Sequence, residues 1–350
     1  MSRISSLLCD WYARHGRDLP WRRTRDPYRI WLSEVILQQT RVAQGLEYYL
    51  RFTERFPRAE LLAAASEDEV LKLWQGLGYY SRARHLHAAA QEVAARFDGA
   101  FPRTYEEVRA LPGVGDYTAA AICSMAYDLP YAVLDGNVFR VLSRVFDLDV
   151  PIDTSAGRRT FAELARAQLD PKRPGTCNQA IMDFGALCCT PGRPDCASCP
   201  LGAHCLAHAA GTTAERPVKR SRTKVRERWF VYLHLVCDGE TLLHRRGAGD
   251  IWQGLYEFPL IETPGEADYG RVAETALFRE LCGGAAARPY RKIDLPRHQL
   301  SHQTLHGVVY RIELARWPEA AQRYLRVAEE HLGDYALPRL LDRYLNKYQR

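Results

Sequence analysis

No stretch of this 350-residue chain approaches the ~18 consecutive apolar residues of a membrane span. The opening residues, MSRISSLLCDWYARHGR, lack the sustained apolar core of a secretory leader. There is no internal repeat and no low-complexity tract. Large excess charge is missing too, since 48 Lys and Arg against 42 Asp and Glu leave only +6. These absences argue against a membrane-spanning or exported protein and make a cytoplasmic location the expectation. Hydrophobic content of 47% and charged content of 26% are ordinary for a globular chain, and the length suits two domains, each with its own core.

The small charge excess is concentrated. Residues 1–205 carry 25 basic and 24 acidic side chains, and residues 229–350 carry 16 of each. Residues 206–228, LAHAAGTTAERPVKRSRTKVRER, carry seven basic and two acidic side chains. This polar stretch reads as an interdomain linker able to touch a polyanion, although an ordinary solvated linker has the same composition. Before it, segments such as DPYRIWLSEVILQQTRVAQGLEYYLRF and EDEVLKLWQGLG place apolar residues three and four apart, which predicts helices. After it, RWFVYLHLVCDGETLLHRR is two β-prone runs around Asp238-Gly239, a hairpin signal. A helix-like DYGRVAETALFREL, a β-prone QTLHGVVYRIEL and a short terminal helix follow. The expected architecture is an all-α domain over 1–205 joined through 206–228 to a smaller α+β domain over 229–350.

Five of the ten cysteines lie between Cys188 and Cys205. Cys189, Cys196, Cys199 and Cys205 follow C-x6-C-x2-C-x5-C, with a single CxxC knuckle where a zinc ribbon would show two. Four thiolates in one short loop suit a [4Fe–4S] cubane better than zinc, and a reducing compartment disfavours disulfides. Pro191, Pro194 and Pro200 lower the entropy cost of closing the loop, and the spacing leaves out Cys188.

Two further stretches carry candidate chemistry. In LPGVGDYTAAAICSMAYD, the turn at Gly113 and Gly115 runs into an apolar helix whose first N–H groups can grip a phosphate without a basic side chain. A plain helix–helix corner would look the same. Asp135, in VLDGNVFRVLSRVF, stands twenty residues past Gly115 and reads as a helix N-cap that can also hold a carboxylate toward a cleft. Glu34, in WLSEVILQQT, is bordered by Ile30, Trp31, Leu37 and Gln38. Burial there raises its pKa and suits a general acid near neutrality, whereas a solvent-facing Glu would have no such role.

The hairpin turn, the following aspartate and the cysteine loop together resemble the helix–hairpin–helix DNA glycosylases of the endonuclease III superfamily. Within it, SEVILQQT, GLGYYSRA, LPGVGDYTA and LDGNV look like the MutY-type adenine DNA glycosylases, with a dense match from about Trp21 to Cys205. The resemblance implies a two-lobed helical fold that takes a flipped base from double-stranded DNA, and excision of adenine opposite 8-oxoguanine or guanine. It implies that Glu34 protonates adenine and that Asp135 stabilises the sugar cation. It places Tyr117 at the same sugar and makes Asn137 the residue that orients the carboxylates. A lysine nucleophile would stand where this chain has Tyr117, so strand-cleaving lyase activity is not expected. Gln38, Gln39 and Tyr79 correspond to DNA-contacting positions, Gly113 and Gly115 to the phosphate-gripping turn, and Cys189, Cys196, Cys199 and Cys205 to the cluster ligands. A monomer, nucleoid-associated in a bacterial cell, is also implied.

WQGLYEFP and the strand–helix–strand pattern after the linker resemble the MutT-like, or Nudix-like, domain of the same family. A working Nudix hydrolase needs carboxylates where this chain has Gly283 and Gly284, so pyrophosphate hydrolysis is not expected. The corresponding loop, Leu300-Ser301-His302, retains two polar side chains for 8-oxoguanine, while Leu300 offers no aromatic face. His298 and His302 are too few for a metal site. Two rival readings are an endonuclease III-type enzyme on oxidised pyrimidines and a non-catalytic iron–sulfur DNA-binding protein. Tyr117 and the Glu34/Asp135 pair argue against them.

Overall fold

A computed structural model describes residues 2–220, 225–283 and 291–348 of the chain, and among them no helix is long and apolar enough to cross a membrane. Two compact units emerge: Met1–Ala64 with His85–Arg222, and Ala65–Arg84 with Thr223–Arg350.

The first unit is helical, and side-chain caps set several of its helix starts. Ser2 caps α1 (Arg3–His15), and Asp26 caps α2 (Pro27–Leu37) by accepting the Tyr28 N–H at 2.9 Å. Eight of the eleven α2 residues are buried, so this helix runs through the core with only Arg29 exposed. The apolar spacing of DPYRIWLSEVILQQTRVAQGLEYYLRF covers two helices, α2 and α3 (Val42–Arg55). Gln39, at φ +54°, turns the backbone left-handed between them. Next along the chain come α4 (Ala59–Ala64), α5 (Glu67–Trp74) and α6 (Ser81–Phe97). They are followed by α7 (Tyr105–Ala110), α8 (Asp116–Tyr127), α9 (Gly136–Val145), α10 (Ser155–Gln168) and α11 (Pro174–Leu187). Leu8, Trp11, Ala121, Val138, Val141, Leu142, Phe161, Ala180 and Phe184 form one core joining α1, α8, α9, α10 and α11.

The turn between α7 and α8 requires a glycine twice over. Gly113 sits at φ +73°, and a Cβ there would lie 2.5 Å from the Cβ of His85. Gly113→Ala should therefore cost on the order of 2 kcal/mol from backbone strain and overpacking. An unchanged urea midpoint would refute that account.

The stretch expected to act as a linker from residue 206 opens instead inside the helical unit. Leu206–Ala210 forms α12, whose Ala207 is fully buried against the core, and the next strand begins at Arg226. Five residues are too few to show periodicity in a sequence.

In the second unit, β1 (Arg226–Cys237) and β2 (Glu240–Arg245) form the hairpin expected at Asp238-Gly239, with both turn residues at positive φ. β3 (Tyr256–Glu257), β4 (Leu260–Thr263), β5 (Arg291–Gln299), β6 (Gln303–Glu313) and β7 (Leu325–Ala328) complete a seven-stranded mixed sheet. β1 runs parallel to β6 and antiparallel to β2 and β4. Alternation along β1 sends Phe230 and Tyr232 to one face with Leu340, Leu341 and Tyr344 of α15 (Arg339–Tyr348). Val231, Leu233 and Leu235 go to the other, with Phe278 and Leu281. DYGRVAETALFREL is two short helices rather than one, α13 (Tyr269–Ala273) and α14 (Ala276–Cys282), because Thr275 accepts the Phe278 N–H and starts the second.

The segment Ala65–Arg84 is held in this unit by polar contacts. Lys72 Nζ donates to Tyr335 O at 3.1 Å, Gln75 to Asp342 at 2.8 Å, and the Tyr256 hydroxyl to Asp68 at 2.9 Å.

Candidate active site and cysteine loop

α2 carries Glu34 inward, 7% exposed, with apolar residues on both sides. Burial pushes its carboxyl up to about 7, and the neighbouring Asp135 adds to the rise. The Tyr117 hydroxyl, donating to Glu34 Oε2 at 2.6 Å, and the Arg22 cation oppose it. With Oε2 occupied as an acceptor, the acidic proton of Glu34 belongs on Oε1. Burial also lifts the Tyr117 phenol well above its ordinary value, so it remains a donor.

Asp135 is the N-cap of α9. One carboxylate oxygen accepts the Val138 N–H at 2.8 Å and the other accepts Asn137 Nδ2 at 2.8 Å. Arg140 completes the chain of contacts: it donates to Asn137 Oδ1 at 2.8 Å, Gly185 O at 2.6 Å and Cys189 O at 2.7 Å. α11 can approach this closely because residue 185 is glycine; a Cβ there would sit 2.6 Å from Asn137 Cβ. Burial raises the Asp135 pKa, and the bonds from Val138 and Asn137 work against that rise. The carboxylate is thus fixed in place while both its oxygens are already engaged by donors.

Glu34, Tyr117, Asp135 and Asn137 line one pocket of about 390 Å³. Arg22, Arg17, Gln179 and Met182 share its wall and were not flagged by sequence. Arg17 and Arg22 are anchored by Asp183, which is fully buried on α11 and accepts from Arg17 Nε at 2.9 Å and Arg22 Nη2 at 2.7 Å. Burial alone would raise Asp183, but the two guanidiniums hold it below the usual carboxylate range. The available signal was a single carboxylate within the otherwise apolar run AIMDFGAL.

The remaining predicted contacts are spread over both units. Gln38 donates to Thr118 Oγ1 at 3.3 Å, and Gln39 is exposed at its left-handed turn. Gly113 and Gly115 are exposed at the start of α8, where no side chain caps the first N–H groups. In the second unit Tyr79, at φ +48° and 43% exposed, is hydrogen-bonded to Ser301. Ser301 and His302 are exposed in the turn between β5 and β6, and Leu300 packs partly into the core. Glu280 is ion-paired with Arg323, Gly283 ends α14 at φ +73°, and Gly284 lies outside the described residues.

None of the ten cysteines is joined in a disulfide. Cys189, Cys196, Cys199 and Cys205 line one small cavity, with Cys188 beside them. Arg144 binds this loop together, reaching Cys189 Sγ at 3.4 Å, Thr190 O at 2.8 Å and Thr213 O at 3.0 Å. Among the described residues no three Cys, His, Asp or Glu side chains converge on the position of a single metal ion. Four thiols ringing a cavity suit a polynuclear core better than one zinc.

Glu34 also links stability to pH. Its folded-state value lies above the ordinary 4.5, so the native state holds a proton that the unfolded state has released. That stabilisation is complete below pH 4.5 and is lost as pH rises through about 7. Glu34→Gln cannot titrate and should be more stable than the parent above pH 7, by up to about 3 kcal/mol. Equal melting temperatures for parent and variant on the alkaline side would contradict the buried acid.

Residues 32–166 match the HhH-GPD superfamily base excision DNA repair protein family, and residues 231–347 match the NUDIX domain. The chain is 34% identical over 370 aligned positions to the adenine DNA glycosylase of Mus musculus, covering 91% of this chain and 72% of that protein. It is 31% identical over 315 positions to the adenine DNA glycosylase of Buchnera aphidicola subsp. Schizaphis graminum, covering 89% and 88%. A thermostable thymine-DNA glycosylase superposes with a TM-score of 0.56 at 29% identity, over 59% of this chain and 95% of that one. Endonuclease III, solved in a non-covalent DNA complex, shares the fold with a TM-score of 0.52 at 22% identity, over 59% and 94%.

Proposed function

We propose, since this chain belongs to the adenine DNA glycosylase family, that it hydrolyses the N-glycosidic bond of adenine paired with 8-oxoguanine or guanine in duplex DNA. The observation that carries this reading is the buried Glu34, bonded by Tyr117 and sharing a pocket with Asp135. An acid poised near pH 7 and a fixed carboxylate are the two groups that N-glycoside hydrolysis needs.

Glu34 delivers the proton on Oε1 to adenine N7, which turns the base into a neutral leaving group. The C1′–N9 bond breaks with oxocarbenium character at the sugar, and Asp135 stabilises that charge. Water then adds at C1′ and gives up a proton, which restores the acid form of Glu34, leaving an abasic site and free adenine. Tyr117 holds the acid, and Asn137, braced by Arg140, holds Asp135. A phenol cannot form an imine, so borohydride should trap no enzyme–DNA adduct. A trapped adduct would revive a lyase mechanism.

The hairpin amides at Gly113 and Gly115 would grip a backbone phosphate. Gln38, Gln39 and Tyr79 would enter beside the mispair, while Ser301 and His302 would hydrogen-bond the 8-oxoguanine strand. The protein would act as a monomer.

Cys189, Cys196, Cys199 and Cys205 fit a [4Fe–4S] cluster, with Arg144 opposite the thiolate charge. Such a cluster supplies iron–thiolate bonds that close the loop, and an electron-transfer centre. Purified protein should be brown with about four irons per chain, and Cys199→Ala should lose most of that iron. A colourless protein with one zinc would overturn the assignment.

Single-turnover excision opposite 8-oxoguanine, guanine and thymine tests the pairing preference. Fastest reaction opposite 8-oxoguanine, slower opposite guanine and none opposite thymine is expected. Equal rates on all three would remove the role given to Ser301 and His302.

A further inference from the structure

The Sγ atoms of Cys9 on α1 and Cys177 on α11 lie 3.3 Å apart, with Cys177 in the first turn of α11 and the cysteine loop after its last. This is closer than two unbonded sulfurs pack when they share no proton, so one S–H points at the other sulfur. The two residues are 168 positions apart in sequence, and nothing in the excision mechanism uses either thiol. Both are buried, 5% and 7% exposed. A void of about 20 Å³ lies against Cys177, walled by Ser5, Leu8, Ala132 and Asn178. It admits a molecule of about the size of water and nothing large.

We infer that Cys9 and Cys177 form an oxidisable dithiol, a site that a small hydroperoxide converts to a disulfide joining α1 to α11. Cys177 is the attacking sulfur. It stands in the first turn of α11, four residues after Arg173, a position that favours thiolate. The hydrogen bond between the two sulfurs holds the Cys177 thiol below its ordinary range and pushes that of Cys9 up; Arg173 assists Cys177, while burial and the Asp170 charge oppose.

The reaction balances in two steps. The Cys177 thiolate attacks one oxygen of hydrogen peroxide, the O–O bond breaks, and the departing hydroxide takes a proton. Cys177 is thereby oxidised to a sulfenic acid and the peroxide reduced to water. Cys9 sulfur then loses its proton and attacks the sulfenic sulfur. The S–O bond breaks, hydroxide leaves as water, and the S–S bond forms. The sulfurs must close from 3.3 Å to about 2.05 Å.

The test uses the full chain with its cysteine loop loaded, treated with dilute hydrogen peroxide, alkylated under denaturing conditions and digested with trypsin. The expected product is the peptide containing Cys9 cross-linked to that containing Cys177, two hydrogens lighter than the pair and released by dithiothreitol. Its formation should raise the melting temperature by several degrees, since the bond closes a very long loop. Cys9→Ala should give no cross-link, and dimedone should label its Cys177. Full alkylation of both thiols after peroxide would overturn the inference. So would a cross-link from Cys177 to Cys188, or Cys177 resting as a sulfenic or sulfinic acid in the parent protein.

Discussion

Glu34→Gln lowers the single-turnover rate of adenine excision by about 10²–10⁴-fold while the mispaired duplex still binds. Gln preserves the shape of the side chain, and the Tyr117 hydroxyl can still donate to its carbonyl oxygen. Only the transferable proton is lost, so the defect should appear in the chemical step and not in affinity. The pH dependence follows from the same geometry. The active form is protonated, and burial sets the transition near pH 7, so the parent rate should fall tenfold per unit well above it. The residual rate of Glu34→Gln should lack that descending limb. A variant with the parental rate would remove Glu34 from the mechanism.

Replacing Asp135 separates charge from structure. Asp135→Asn should slow excision by about 10²–10³-fold because the sugar cation loses its stabilising carboxylate. Asn is as good an N-cap as Asp, so the bond from the Val138 N–H survives; only the bond from Asn137 Nδ2 is lost, and the melting temperature should fall less than in Asp135→Ala. Asp135→Ala removes charge and cap together. It should show the same loss of rate and a further destabilisation of about 1 kcal/mol. If Asn retains activity, the fixed charge is not what the reaction needs. If Ala and Asn melt alike, the cap contributes nothing at α9.

Much of the site can be read from local pattern. The Asp238-Gly239 hairpin, the Asp135 cap and the inward face of Glu34 depend on neighbours in sequence, and the helices and strands follow their periodicities. The contacts that escaped reading join distant positions. Arg22 meets Asp183 across 161 residues, and Lys72 meets Tyr335 across 263, so neither pairing leaves a trace in spacing. Nothing in the local sequence marks Gly185 as the residue against which Asn137 of α9 packs. The left-handed turn at Gln39 split an apolar pattern that looked continuous, because both flanking helices keep the same three- and four-residue spacing. The Nudix-like domain was legible as a fold.

The central claim is that this pocket releases adenine as a free base and leaves the sugar–phosphate backbone whole. Chromatography of the free bases released from a duplex carrying adenine opposite 8-oxoguanine, with enzyme in excess, tests it most directly. The account predicts one adenine per duplex and a strand that breaks only after hot alkali. No free adenine, or a strand already broken before alkali, would contradict it.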